Sequence, residues 1–298
     1  IYHGKELYQM MTTQLLDSPV SSISNNTKPL PNTLGNTNSL KKMVFTDSIK
    51  RKRKQDALKK QQKKSDSTSN STNEEEDLRN VHGIGDKTVE MLHMKNIYTI
   101  RQLRDALASH PTLLNQAQIT GLKYYEDLKQ PIPREEIKTY ETHLRNITSK
   151  LNPEMNMTIA GSYRRNKTTS HDIDILFTYP ENTGLNVVER WLDTFVDAMI
   201  KEDIHLVYLT KSSLKFMAII RMPDMRLHRR IDFMLVPISR YPFALLYLTG
   251  SKEFTMNIRK IAIQKGYSLS ENGFKDLKTN KRVNVNDFKS EKDIFDFL

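Results

Sequence analysis

Apolar residues recur along the chain with two different periods, and the change of period divides the sequence. In residues 78–107, LRNVHGIGDKTVEMLHMKNIYTIRQLRDAL carries two short helical patterns on either side of a glycine turn. After residue 156, short runs rich in β-branched and aromatic residues predict strands: MTIAG, DIDILFTY, IHLVYL, LKFMAII and RRIDFMLVP. Amphipathic helices are predicted over residues 186–201 and 251–265. The pattern predicts an α+β fold, with a small helical unit followed by a mixed sheet and helices.

The segment before residue 74 has a different character. Residues 17–73 are rich in Ser, Asn, Thr and Pro with few large apolar side chains, which predicts a disordered linker. Residues 41–64 hold eleven lysines and arginines against two aspartates, so this tract supplies most of the net charge of +11. We interpret the tract either as a nuclear-import or nucleic-acid-contacting segment or as a solvated charge run. Net charge therefore says little about the folded part.

Composition excludes several classes of function. The chain has no cysteine, which rules out disulfides, thiolate metal sites and a cysteine nucleophile. The longest apolar runs, such as residues 243–248, are far shorter than the roughly 20 residues that cross a bilayer, so no membrane partner is expected. At 298 residues, one or two globular units are expected.

The glycine turn has two interpretations. Gly83 and Gly85 allow the backbone to bend sharply, and the amides at the start of the next helix can then hold a phosphate. Lys87 adds a positive charge. An ordinary turn between two helices explains the same residues, because a lone G-x-G is a weak signal.

Three aspartates are the strongest candidates for chemistry. In a strand, the i, i+2 spacing of Asp172 and Asp174 directs both carboxylates to one face and Ile173 and Ile175 to the other. Asp232 has strand signals on both sides and can lie on a neighbouring strand. Three such acids can hold two Mg²⁺ ions about 3.5–4 Å apart, the arrangement used for displacement at phosphorus.

A phosphate-binding pattern lies upstream of the acids. In GSYRRNK, residues 161–167, a glycine and a serine follow a predicted strand and precede Arg164, Arg165 and Lys167. Backbone amides, a hydroxyl and arginine guanidinium groups match phosphate oxygens, so the segment suits a triphosphate.

These motifs together resemble DNA polymerase family X, whose best-known member is the beta type. GSYRRNKTTSHDIDILFTYP, LKFMAIIRMP, HRRIDFMLVP, LLYLTGSKEF and SEKDIFDFL occur in the family's order and approximate spacing, and ITGLKYYEDLKQPIPREEI resembles the junction between fingers and palm. The resemblance covers about residues 78–298. It implies a nucleotidyltransferase palm with a mixed β-sheet, preceded by a helix-hairpin-helix subdomain and followed by an α/β thumb.

The resemblance also implies roles for single residues. Asp172, Asp174 and Asp232 would be catalytic and would bind two Mg²⁺ ions, with Mn²⁺ as an alternative, and Asp232 would help deprotonate the primer 3′-hydroxyl. Residues that match dNTP contacts are Ser162, Arg165, Ser170, Tyr247 and Gly250. Residues that match primer or template contacts are Gly83, Gly85, Lys87, Arg230 and Arg259. Backbone carbonyls near Val81 and Ile84 would hold Na⁺ or K⁺.

Some positions depart from the beta type and leave template dependence open. His171 stands where the beta and lambda types have glycine and is similar to the terminal-transferase and mu branch. Thr255 and Met256 replace an asparagine and a lysine, and Leu248 replaces an aromatic residue. The alternatives are a template-independent terminal transferase or RNA-type nucleotidyltransferase and, third, a non-catalytic DNA-binding adaptor.

The expected organisation follows from these assignments. Residues 1–75 form a basic linker with a remnant of an upstream domain at 1–16, residues 76–136 the fingers-type unit, 137–238 the palm and 239–298 the thumb-type unit. The expected partners are gapped or primer-template DNA and a dNTP, bound by a monomer. The basic residues of 50–64 favour a nuclear protein over a cytoplasmic one. No lyase activity is assigned.

Overall fold

The computed structural model describes residues 77–298. The predicted linker, its basic tract and the predicted remnant at 1–16 lie outside the described residues. Within residues 77–298, no helix combines the length and the apolar character that a membrane span requires.

The first described unit is helical. It contains a 3₁₀ turn at Leu78–Asn80. Four α-helices follow: α1 (Asp86–Met94), α2 (Ile100–Ser109), α3 (Gln116–Lys123) and α4 (Tyr125–Lys129). Capping boxes start α2 and α3, formed by Thr99 with Gln102 and by Asn115 with Gln118. The predicted helix before the glycine turn is only one 3₁₀ turn, because the backbone becomes extended at Val81.

A five-stranded mixed sheet follows, and all its predicted strands are present. The strands within residues 77–298 are β1 (Ile132–Pro133), β2 (Asn156–Ile159), β3 (Thr169–Ser170), β4 (Ile173–Tyr179), β5 (His205–Lys211), β6 (Lys215–Arg221), β7 (Arg229–Pro237), β8 (Tyr267–Ser270) and β9 (Gly273–Asp276). The order in the sheet is β2-β4-β7-β6-β5. The central pair β4–β7 is parallel, whereas its neighbours pair antiparallel. The predicted α+β class is confirmed.

The two faces of the sheet are covered differently. One face packs on α5 (Arg134–Leu151) and α7 (Leu185–Lys201), and Phe177 and Phe233 stack there with ring centroids 5.9 Å apart. The opposite face contributes Leu176, Met234 and Val236, which pack against α8 (Tyr241–Thr249). Because α8 covers only the later residues of β4 and β7, the start of both strands on this face is free for polar groups.

The last unit is also α+β. It contains α8, α9 (Lys252–Gln264), the hairpin β8–β9, and α10 (Glu291–Phe297), with 3₁₀ turns at Ile238–Arg240 and Val285–Asp287. Its core is a cluster of aromatic and aliphatic side chains that includes Phe243, Phe254, Phe274 and Phe288. The one-turn helix α6 (Gly161–Arg164) belongs to the sheet unit and precedes β3. Residues 77–298 lie in a single compact unit of the chain.

Candidate active site

The three aspartates meet at the uncovered start of β4 and β7. Asp172 lies just before β4, Asp174 lies within it, and the parallel register places Asp232 of β7 directly beside Asp174. Ile173 and Ile175 are buried on the opposite face, as the period-2 pattern predicts. One carboxylate oxygen from each aspartate lies within 4.8 Å of the others. The fold therefore assembles the three acids that the sequence identified.

Electrostatics at this cluster favour a bound cation. The pKa of Asp174 is raised from 3.8 to about 7, mainly by burial and further by the charge of Asp232, while Arg165 opposes the rise. Burial also raises the pKa of Asp232, against the opposing effect of Arg230. The Asp232 Oδ1 atom is buried and has no hydrogen-bond partner within residues 77–298. Converging carboxylates with an unpaired buried oxygen are a ligand set that fits a divalent ion such as Mg²⁺.

Arg230 partly neutralises the cluster. Its guanidinium contacts Asp172 Oδ2, and its Nε atom lies 3.5 Å from Asp232 Oδ1, outside hydrogen-bond geometry. One arginine against three carboxylates leaves a net negative site if all three acids are ionised. Burial is the main cause of the raised pKa of Asp174, and the negative charge of Asp232 adds to it.

Mg²⁺ affinity is expected to rise with pH. Below the pKa of about 7, Asp174 carries a proton that a cation must displace, so affinity should increase by about tenfold between pH 6 and 8 and level off at higher pH. Calorimetric titration in buffers of different ionisation enthalpy would measure both the affinity and the released proton. Asp174→Asn is the control, and it should bind Mg²⁺ weakly and without this pH dependence. Equal wild-type affinity at pH 6 and pH 8 would contradict the assignment.

The segment before the acids touches them directly through Gly161. This residue begins α6 with a φ of +57°, and its backbone lies so close to Asp174 that a Cβ atom there would overlap Asp174 Oδ2. Only glycine allows this approach, because it has no Cβ and tolerates positive φ. The sequence predicted Gly161 as part of a phosphate-binding turn, but it gave no sign of the contact between Gly161 and Asp174.

The predicted phosphate contacts cluster around α6. Ser162 Oγ donates a hydrogen bond to Ser170 Oγ at 2.7 Å, which brings together two of the predicted dNTP contacts. Ser170 is held in place because β3 pairs with β1, with Ser170 opposite Ile132. Arg165 Nη1 donates to the Thr249 carbonyl, and a Cβ atom added to Gly250 would lie 3.3 Å from it. Ser162, Ser170, Arg165 and Gly250 therefore share one neighbourhood.

Arg164 is a residue whose contacts the sequence analysis did not assign. Its guanidinium forms two hydrogen bonds with the buried Glu291 carboxylate, at 2.9 and 2.7 Å, and a third with Thr249 Oγ1 at 2.9 Å. Glu291 begins α10, so the pair joins α6 to the last helix. The partners are 127 positions apart in sequence, and the only local signal was the doubled arginine in GSYRRNK.

Two of the predicted dNTP contacts, Tyr247 and Gly250, lie at the end of α8. Gly250 follows this helix with a φ of +64° and a ψ of −156°, a conformation that is largely restricted to glycine. Tyr247 is 38% exposed, and the Arg259 guanidinium from α9 lies 5.3 Å from the centre of its ring. The structure therefore places Arg259, a predicted primer or template contact, against the ring of Tyr247, a predicted dNTP contact.

The glycine turn borders a cavity that is also lined by His171 and Arg230, two neighbours of the acids. Gly83 has a φ of +85°, Gly85 is the N-cap of α1 without a side-chain cap, and Lys87 is exposed in the first turn. The Val81 carbonyl accepts a hydrogen bond from the Ile84 amide at 3.0 Å. Residues 79–85 line a cavity of about 740 Å³ together with His171 and Arg230. The glycine turn and two residues next to the acids, His171 and Arg230, thus line the same cavity.

Three family models match successive parts of the chain. They describe the fingers domain of DNA polymerase lambda (residues 76–129), the DNA polymerase beta palm (131–238) and the DNA polymerase beta thumb (244–298). DNA polymerase lambda from Rattus norvegicus is 33% identical over 195 residues, covering 64% of this chain and 33% of the relative. The chain belongs to DNA polymerase family X. The resemblance on which the site residues were assigned is therefore confirmed at the level of the family.

Two further family X relatives bear on the fold and on the alternatives. A DNA nucleotidylexotransferase from Xenopus laevis is 28% identical over 248 residues, covering 72% of this chain and 48% of the relative. A crystal structure of Leishmania infantum polymerase beta, described as a ternary P/T complex, has a TM-score of 0.66 at 28% identity, covering 75% of this chain and 93% of that one. The chain spans only about a third of the length of the rat relative and about half of the length of the Xenopus relative.

Proposed function

We propose that this chain is a DNA-directed DNA polymerase of the gap-filling, repair type, which adds dNMP from a dNTP to a primer 3′-hydroxyl. The observation that carries the proposal is the meeting of Asp172, Asp174 and Asp232 beside the phosphate-binding segment that starts at Gly161. An acid cluster that fits divalent ions, next to hydroxyls and a guanidinium suited to phosphate, has the parts required for displacement at a phosphoryl group.

The acids and their neighbours supply positioning and charge in this scheme. Mg²⁺ ions, or Mn²⁺ in their place, would be held by Asp172, Asp174 and Asp232, and when bound they would neutralise the charge that develops as pyrophosphate leaves. Asp232 is proposed to help deprotonate the primer 3′-hydroxyl, since its Oδ1 atom is unpaired and its pKa is raised. A bond forms between the 3′-oxygen and the α-phosphorus while the α–β phosphoanhydride bond breaks.

The other predicted contacts are assigned by the chemistry that each offers. Ser162, Ser170 and Arg165 are proposed to bind the triphosphate, and Arg230 the primer end near the acids. Gly83, Gly85 and Lys87 are proposed to bind the DNA backbone, with Na⁺ or K⁺ at the carbonyls of Val81 and Ile84. Arg259 is proposed to contact the template strand.

Primer-template or gapped DNA and a dNTP are the proposed partners of a monomeric enzyme. A nuclear location is proposed from the basic residues of 50–64, because runs of lysine and arginine serve as import signals.

Extension of a one-nucleotide-gapped duplex, with each dNTP offered alone, tests the proposed function. Incorporation of the complementary nucleotide at a rate at least tenfold above the other three is expected. Incorporation that does not depend on the templating base would contradict the template-directed mechanism.

The terminal-transferase alternative rests on His171. This side chain is exposed, precedes Asp172 and lines the cavity that the hairpin shares with Arg230. A cationic or hydrogen-bonding group there could hold a primer end without a template. Extension of a single-stranded primer, compared with the same primer annealed to a template, separates the two activities. His171→Gly should reduce only the template-independent reaction.

Tyr247→Ala is expected to weaken discrimination against ribonucleotides by about 10–200-fold, the range of a pocket contact worth about 1–3 kcal/mol. Tyr247 and Gly250 are proposed to form a wall against the sugar, so that a 2′-hydroxyl clashes or loses its hydration. Competition between dCTP and CTP opposite guanine, compared as kcat/KM, would measure the effect. Tyr98→Ala, a half-exposed tyrosine of the helical unit, is the control. Equal use of both sugars by the wild type would remove the steric argument.

A further inference from the structure

The glycine turn of the hairpin is held from behind by one side chain of α3. Gln118 Nε2 donates hydrogen bonds to the Gly83 carbonyl at 2.9 Å and to Thr88 Oγ1 at 3.2 Å. The two acceptors lie on either side of the N-terminus of α1, which begins at Asp86. Gln118 is therefore bonded both to the turn and to the helix that follows it.

Gln118 is fixed in this position by its second role. Its Oε1 atom accepts the Asn115 amide at 3.0 Å, and the Asn115 side chain accepts the Gln118 amide, which completes the capping box of α3. The residue is only 8% exposed. With its oxygen held by the cap, the NH₂ group has one direction left, toward Gly83 and Thr88.

The backbones of α3 and the turn also approach closely. A Cβ atom on Gly121 would overlap the His82 carbonyl oxygen, so α3 and the turn pack without an intervening side chain. Gln118 and Gly121 are three residues apart and share one face of α3. This face supports the turn over residues 82–83.

The bond to Gly83 has a consequence for the peptide between Gly83 and Ile84. In a trans peptide the carbonyl and the amide point in opposite directions. The carbonyl of this peptide, from Gly83, accepts the hydrogen bond from Gln118. The amide of the same peptide, from Ile84, donates to the Val81 carbonyl at 3.0 Å. Both the carbonyl and the amide of this peptide are therefore held by hydrogen bonds, which keeps the Gly83 oxygen from turning toward an incoming anion.

We infer that Gln118 is a positioning residue for DNA: it sets the orientation of the turn that contacts the phosphodiester backbone. This inference rests on the proposed function, since it assigns a support to the hairpin at residues 83–87. An unpaired Gly83 carbonyl could rotate toward a phosphate and repel it. The expected loss is in DNA affinity, because Gln118 lies on a helix behind the turn and does not contact the acids.

Gln102 provides a matched control. It completes the capping box of α2, with its Oε1 atom accepting a hydrogen bond from the Thr99 backbone amide at 3.1 Å, but within the described residues it forms no hydrogen bond with residues 79–88. Gln118→Met and Gln102→Met both remove a cap of the same type. Only the first also removes the hydrogen bond to Gly83. A similar loss of thermal stability in both variants would show that folding is equally affected.

The experiment measures binding of one-nucleotide-gapped DNA by fluorescence anisotropy at several salt concentrations, together with kcat at saturating DNA. Gln118→Met should raise Kd about tenfold, which corresponds to about 1.4 kcal/mol and is within the range for loss of one hydrogen bond. It should flatten the slope of log K against log salt by about one, and leave kcat within about twofold of wild type. Gln102→Met should leave Kd and the slope unchanged.

Several outcomes would overturn the inference. An unchanged Kd for Gln118→Met would show that the residue only caps α3. A fall in kcat at unchanged Kd would show that Gln118 affects turnover and not DNA binding. Gln118→Glu keeps the cap acceptor but loses the donor, so it should weaken binding at least as much as methionine; weakening by glutamate alone would indicate charge repulsion. A wild type that does not bind gapped DNA would instead overturn the proposed function itself.

Discussion

Incorporation by an Asp232→Asn variant is expected to fall at least about 100-fold, while its Kd for gapped DNA stays within about threefold of wild type. Asparagine keeps the size of the side chain and removes its charge. Because Asp232 is paired in register with Asp174 and has an unpaired buried oxygen, its charge serves the reacting groups more than the DNA. Single-turnover incorporation under saturating dNTP and Mg²⁺ would measure the loss.

The control for this substitution is Asp193→Asn. Asp193 pairs with Lys211 at 2.7 Å on an exposed surface, where such pairs contribute little. Its incorporation rate should not change. Retention of more than about a tenth of the wild-type rate by Asp232→Asn would remove this residue from the catalytic set.

Gly161→Ala is expected to abolish incorporation and to weaken Mg²⁺ binding, although no charged group is changed. The new Cβ would occupy the position of Asp174 Oδ2, so either the carboxylate or the start of α6 must move. Both movements separate the acids from Ser162 and Arg165. We expect a loss of at least about 100-fold in kcat, comparable to loss of a catalytic group.

Gly266→Ala separates this effect from backbone strain. Gly266 also has a positive φ, of +86°, but no atom lies within 4 Å of the position of its Cβ. Both variants should lose about 1 kcal/mol of stability from the strained backbone. Only Gly161→Ala should lose Mg²⁺ affinity and incorporation. Similar activities for the two variants would show that Asp174 tolerates the displacement.

The orientation of neighbouring side chains in the site could be predicted from sequence, because the alternation of a strand relates residues only two positions apart. The i, i+2 spacing placed Asp172 and Asp174 on one face, and the strand signals on both sides of Asp232 placed this residue in a second strand. These patterns do not determine which strands are neighbours. The parallel pairing of β4 with β7, which brings Asp232 to Asp174, depends on packing across more than 50 residues of intervening chain.

The contacts that the sequence analysis missed are long-range. Gln118 lies 35 positions from Gly83, and Arg164 lies 127 positions from Glu291. Each of these polar residues has an ordinary local explanation, a helix cap or a surface charge. Their partners become apparent only when the helices have packed. The roles of Tyr247, Gly250 and Arg259 likewise came from family resemblance, since no periodicity marks them.

The acid cluster lowers the stability of the metal-free protein, although the cation site requires it. The pKa of Asp174 rises from 3.8 to about 7 on folding, so the metal-free protein should lose stability as pH increases between these values. Neutralising Asp174 would relieve this loss and raise Tm, at the cost of the cation site. A selection for thermostable variants without Mg²⁺ would therefore enrich inactive proteins. The same selection at neutral pH with Mg²⁺ present would favour retention of the aspartate, because a ligand that binds only the folded state stabilises it.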